Sequence, residues 1–114
     1  MTTDRELLEA AAKAAGLDLQ HKPLFSGDAE PGYYDYSGGT PKWTWWNPLT
    51  DDGDAFRLAV RLNLLLMPYP DDNAVRVTRL DQPDTIVSWG TPPDALAATR
   101  RAIVRAAAEI GASK

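Results

Sequence analysis

Apolar positions recur along this chain with two different periods, and the change of period divides it into elements. Leu7, Leu8, Ala11, Ala14 and Ala15 fall on one side of a helix. Thr3 stands three residues before Glu6, a capping-box spacing, and Gly16 supplies a left-handed stop, so the spacing predicts a helix over residues 3–15. Leu17, Leu19 and Lys22-Pro23 read as a brief extended exit. Residues 26–42 are rich in glycine and proline, with Tyr33, Tyr34 and Tyr36 marking a short strand inside a loop. Trp43-Thr44-Trp45-Trp46 is a strand by propensity, and alternation sends Trp43 and Trp45 to one face and Trp46 to the other. Asn47-Pro48 breaks it.

The acids of Asp51-Asp52-Gly53-Asp54 suit the positive end of a second helix. Its inner side reads as Phe56, Ala59, Val60 and Asn63, with Arg57 and Arg61 outside. Leu64 to Met67 is apolar without alternation, which predicts a strand covered on both faces. Val75 to Leu80 alternates as a half-exposed strand, and Thr85 to Trp89 forms another. Turns are expected at Tyr69 to Asn73 and at Asp81 to Asp84. Thr91, Pro92 and Asp94 open a last helix, Leu96, Thr99, Ile103, Ala106, Ala107 and Ile110 give it one apolar stripe, and Gly111 ends it. Hairpin-length connections argue antiparallel pairing. The expected fold is α+β, a three-layer α/β/α sandwich with three helices and a largely antiparallel sheet of about four strands. A single domain is expected over residues 1–114.

Composition removes several classes of chemistry. The chain has no cysteine and one histidine, His21, which excludes disulfides, thiolate nucleophiles and multi-histidine metal sites. Its net charge of -4 is the wrong sign for broad attachment to nucleic acid. Leu64 to Met67 is far shorter than the roughly 20 residues a membrane helix needs, and the acidic N-terminal segment does not read as a signal peptide. A cytoplasmic protein, with no membrane partner, is expected.

Motif chemistry is sparse. Asp51-Asp52-Gly53-Asp54 resembles half a calcium loop, but the position that must carry a bidentate acid holds Ala59, and helix capping explains these acids without a metal. Ser26 and Ser88 lack a nucleophile-elbow setting for His21, and Gly38-Gly39 lacks the lysine and helix of a phosphate loop. No catalytic residue, metal or cofactor is assigned. The feature in excess of core needs is aromatic: Tyr33, Tyr34, Tyr36, Trp43, Trp45 and Trp46 crowd one stretch. Trp46 reads as core. Trp43 and Trp45 either pack beneath the terminal helix or form a platform for a planar ligand or a partner's hot spot. Arginines can supply the rest of such a site through bidentate pairing. Arg76 and Arg79 lie on opposite faces of their strand, and Arg100, Arg101 and Arg105 crowd one sector of the last helix, where salt bridges to Asp54 or Glu109 are the alternative.

Residues 46–60 (WNPLTDDGDAFRLAV), 4–9 (DRELLE) and 98–111 (ATRRAIVRAAAEIG) together resemble the phage ABA-sandwich-domain family across the whole chain. That resemblance implies a small protein of tailed phages and prophages, helices flanking a sheet in three layers, and no established activity. The Tyr-rich loop and the Trp43–Trp45 pair depart from the family pattern, which is where a specific function would sit. The expectation is a phage-encoded, non-catalytic accessory protein acting in counter-defence inside the bacterial host. It would sequester a nucleotide-derived immune signal through Tyr34, Tyr36, Trp43, Trp45, Arg76, Arg101 and Arg105. The alternative is a protein–protein inhibitor of a host defence or nucleic-acid-handling enzyme, in the manner of an anti-CRISPR. A nucleotide hydrolase ranks third. A homo-oligomer is expected because a small sheet with an aromatic edge tends to pair.

Overall fold

At the N-terminus the hydroxyl half of the expected capping box forms, and the glycine stop operates as read. In a computed structural model describing residues 3–23, 29–69, 74–79, 85–89 and 95–112, α1 spans Asp4–Ala15. The Glu6 amide donates to the Thr3 hydroxyl at 3.1 Å, and Gly16 closes the helix at φ 76°. Three strands follow: β1 (Gln20–Pro23), β2 (Ala29–Asp35) and β3 (Lys42–Trp45). Then come α2 (Asp52–Arg61), β4 (Leu64–Tyr69), β5 (Ala74–Arg79), β6 (Thr85–Trp89) and α3 (Ala95–Ala112). The α+β class, the three helices and antiparallel pairing all stand.

The strands form two three-stranded sheets, β1-β2-β3 and β4-β5-β6, in place of one sheet of about four strands. The break falls where the Trp46 amide donates to the Pro31 carbonyl at 3.0 Å and the chain then leaves the first sheet through buried Pro48 into α2. In the second sheet Leu64, Leu66, Val75 and Val77 share the face that meets Ala102 and Ala106 of α3. The opposite face carries Leu65, 41% exposed, so the described residues place a helix on one side of this sheet only. Double coverage of Leu64 to Met67 is thereby corrected. α3 is instead covered from two directions, because Ile103, Val104, Ala107 and Ile110 pack with α1, α2 and Trp46.

Two helix readings also change. The inner side of α2 is Ala55, Leu58, Ala59 and Leu62, while Phe56 and Val60 are 67% and 60% exposed. Both sets have helical spacing, so periodicity alone could not choose between them; the ties made by Asp52 and Asp54 fix the rotation. Gly111 does not stop α3 but lies buried within it. A Cβ there would fall on the Ala10 carbonyl oxygen and 3.2 Å from the Ala14 nitrogen, so the missing side chain is what lets α3 approach α1. The expected helix start at Thr91 to Asp94 and the turns at residues 70–73 and 81–84 lie outside the described residues.

Candidate functional site: an aromatic face and an acidic groove

Register places the aromatic cluster. Tyr34 pairs with Trp43, and Gly32 with Trp45, so all four share one face of the first sheet. Tyr33, on the other face, packs against the helical core with Trp46, which is 5% exposed. The outer face is a row of rings. Trp43 meets Tyr34 edge-on at a centroid distance of 5.1 Å and Trp45 at 5.3 Å. A Cβ on Gly32 would lie 2.5 Å from the Trp43 ring, so this glycine makes room for the indole. Trp43 is half-buried as the centre of the row, and Trp45 is 48% exposed at its end. The rings therefore do not pack beneath the terminal helix. Tyr36 lies past the end of β2 on the exposed turn closed by the Gly39 amide to the Tyr36 carbonyl at 3.1 Å.

Trp45 also forms one wall of a groove of about 620 Å³, shared with Glu30, Pro31, Trp46, Asn47, Thr50, Asp51, Asp54 and Arg57. The loop between β3 and α2 builds its floor by local hydrogen bonds. The Asn47 amide donates to Asp54 Oδ2 at 3.0 Å, and the Leu49 amide to Asn47 Oδ1 at 3.1 Å. Asp51 caps α2 by accepting from the Asp54 amide at 2.8 Å. Arg57 pairs with Asp54 at 2.7 Å, and this hydrogen bond pushes the guanidinium pKa further above its ordinary value. From α3, Arg100 donates to the Leu49 carbonyl at 2.9 Å and pairs with Asp52 at 2.6 Å. The run Trp46 to Asp54 is thus a folding device: its acids serve as caps and anchors. Three carboxylates face one guanidinium along the groove, so its field is negative.

The arginines expected to complete a ligand site lie elsewhere. Arg76 sits opposite Met67, on the face of the second sheet away from α3. Arg101 and Arg105 line a second groove of about 530 Å³ with Leu7, Ala10, Ala108, Glu109 and Ala112, where Arg101 pairs with Asp4 at 3.0 Å. Among the described residues, Arg100 pairs with Asp52 and Arg101 with Asp4, and neither with Asp54. The guanidinium beside the aromatic row belongs to Arg57, which the sequence placed only on the outside of its helix. Its signal was the Asp54–Arg57 spacing, a favourable pairing within one helical turn. His21 stands in β1 opposite Pro31 and is not among the residues lining the groove. Among the described residues, no helix is long and apolar enough to cross a membrane, and no set of three or more acids or histidines gathers to hold a metal ion. No family model, no curated protein and no solved structure matches the chain.

Proposed function

We propose that this chain is a non-catalytic binding protein whose working surface is the row Tyr34–Trp43–Trp45 together with the acidic groove beside it. Its partner on this reading is a protein presenting lysine or arginine side chains. The observation that carries the proposal is Trp45, 48% exposed at the rim of a groove that also holds Glu30, Asp51 and Asp54. A half-exposed indole gives contact area at low entropic cost, and clustered carboxylates steer and orient a basic surface. Nucleic-acid-handling enzymes carry such surfaces, and the resemblance to phage proteins favours a host enzyme as the target. This is the inhibitor reading in its counter-defence setting.

Sequestration of a nucleotide-derived signal is the second reading, favoured by the Arg57 guanidinium lining the groove with Trp45. A base could stack on the indole, but its phosphates would meet three carboxylates and an arginine already paired to Asp54. One titration separates the two. Purified protein is mixed with an arginine- and lysine-rich peptide, and separately with cyclic and ADP-ribose-type nucleotides, while tryptophan emission and Tm are followed. The peptide should bind, weaken as salt rises, and lose at least about tenfold in affinity with Trp45→Ala or Glu30→Gln. Nucleotide binding with intact release supports the second reading, and altered nucleotide supports hydrolysis. Silence from every ligand overturns the proposal.

A further inference from the structure

The second groove has the opposite chemistry from the first. It runs along the seam of α1 and α3, whose contacts at Asp4–Arg101 and Ala10–Gly111 advance in the same direction along both helices. On α3 its lining recurs as Arg101, Arg105, Ala108 and Ala112, one stripe of a helix about 16 Å long at 1.5 Å per residue. The stripe is divided. Two guanidiniums stand one turn apart at its start, and alanine follows toward its end, with Leu7 and Ala10 across the seam. Arg101 is held by Asp4 at 3.0 Å, with its side chain 45% exposed. Arg105 is exposed, and among the described residues no carboxylate lies within ion-pair distance of it.

We infer that this groove binds a small organic anion: a single carboxylate or phosphate head on an apolar body. The head sits at Arg105, which offers an uncommitted planar fork that an oxyanion matches with two parallel hydrogen bonds. Arg101 adds positive potential one turn away and, being tied to Asp4, keeps its position. The body lies along Leu7, Ala10 and Ala112, where small side chains leave the space. A groove of about 530 Å³ is within the ordinary range for small-ligand sites. Glu109 lines the same groove and sets a charge limit. It repels a polyanion, so a single head is favoured over a polyphosphate chain. This site is separate from the aromatic face and does not depend on its partner.

The test uses the intact chain and four probes: octanoate and phenyl phosphate, with acetate and inorganic phosphate as heads without bodies. Binding is read from backbone amide shifts at Arg105 and Ala112. Octanoate or phenyl phosphate should bind at least tenfold more tightly than the matching head alone. Whichever head prevails identifies the carboxylate or phosphate source. Arg105→Gln should weaken binding at least tenfold without changing the Tm of the unliganded protein, because Arg105 ties down no described group. Arg105→Lys should recover only part of it, and Ala112→Phe should block the body. Trp45→Ala should leave it unchanged, which separates failure here from failure of the aromatic reading. Equal affinity for head-only probes, or for the parent and Arg105→Gln, overturns the inference.

Discussion

Replacing Gly111 by alanine puts one methyl group where the structure has no room for it. The new Cβ would fall on the Ala10 carbonyl oxygen and 2.9 Å from its carbon, against an ordinary contact of 3.4–4 Å. Both neighbours are backbone, so no side chain can rotate away, and the helices must separate by about an ångström or more to relieve the oxygen contact. That opens the α1–α3 seam where Ala11, Ala14 and Ala107 are 0%, 5% and 0% exposed. Overpacking typically costs about 1–3 kcal/mol, and a rigid backbone obstacle belongs at the upper end. Alanine recovers about 1 kcal/mol through helix propensity. The net expectation is a loss of about 2 kcal/mol, or about 8–16 °C in Tm for a domain of this size. Urea unfolding followed by tryptophan emission measures it, with Trp46, 5% exposed, as a buried reporter. The midpoint should fall with an unchanged slope. Gly38→Ala, with nothing within 4 Å of its Cβ, is the control and should stay within about 0.5 kcal/mol. If Gly111→Ala equals or exceeds the parent in stability, the close approach of the helices is refuted and the glycine merely weakens α3.

Other changes separate folding from binding. Trp43→Ala removes two edge-on ring pairs and should cost about 2–3 kcal/mol in urea unfolding, whereas Trp45→Ala removes one and should cost about 1 kcal/mol. Equal costs would mean that the row is not centred on Trp43. Arg100, with 17% side-chain exposure, ties α3 to Leu49 and Asp52, so Arg100→Ala should lose about 2 kcal/mol, and Arg100→Lys should restore little because an ammonium cannot span both acceptors. A lysine variant as stable as the parent would show that charge alone suffices. The Asp35 carboxyl titrates below its ordinary 3.8, first because the Ser37 amide donates to it and then through the Ser37 hydroxyl. Its stabilisation is complete above that ordinary value and is lost as pH falls through the lowered folded-state value. A carbon-13 titration of Asp35 should place its midpoint lower than in an unfolded peptide, and Ser37→Ala should raise it part of the way.

Much of this architecture could be read from residue types because the signals were local. The Thr3 hydroxyl accepts from the Glu6 amide and the Gly16 amide donates to carbonyls of the last turn, so α1 ends where the chain says it should. Strict alternation placed Trp43 and Trp45 apart from Trp46 for the same reason. The errors came from information held by distant partners. Phe56 is the largest apolar residue of α2 and Val60 is β-branched and apolar, yet the helix buries Ala55 and Leu58 because Arg100 and Asn47 grip the loop before it. Gly111 carries the residue type of a helix stop, and only the Ala10 backbone of another helix gives it a different task. The site was half legible on the same grounds. Its rings follow from register, whereas its charge depends on which arginines a three-dimensional path brings near, and that proved to be Arg57.

The two tryptophans at the end of β3 show how the core and the exposed surface are tied together. Trp46 is buried among the helices, and its amide is bonded to Pro31. Neighbouring residues of an extended chain point to opposite faces, so burial of Trp46 requires Trp45 to turn outward. Pro48 then ends the strand, and Asn47 and Asp54 clamp the turn, so a one-residue slip would expose Trp46 and detach α2 together. The exposure of Trp45 is therefore maintained by the packing free energy of the core, not by a surface free to rearrange. A partner meeting this indole meets it already oriented, with Asp51 and Asp54 beside it fixed by their hydrogen bonds to the Asp54 and Asn47 amides. Little ordering is left for the moment of binding, which is the condition under which a small aromatic face can hold a partner well.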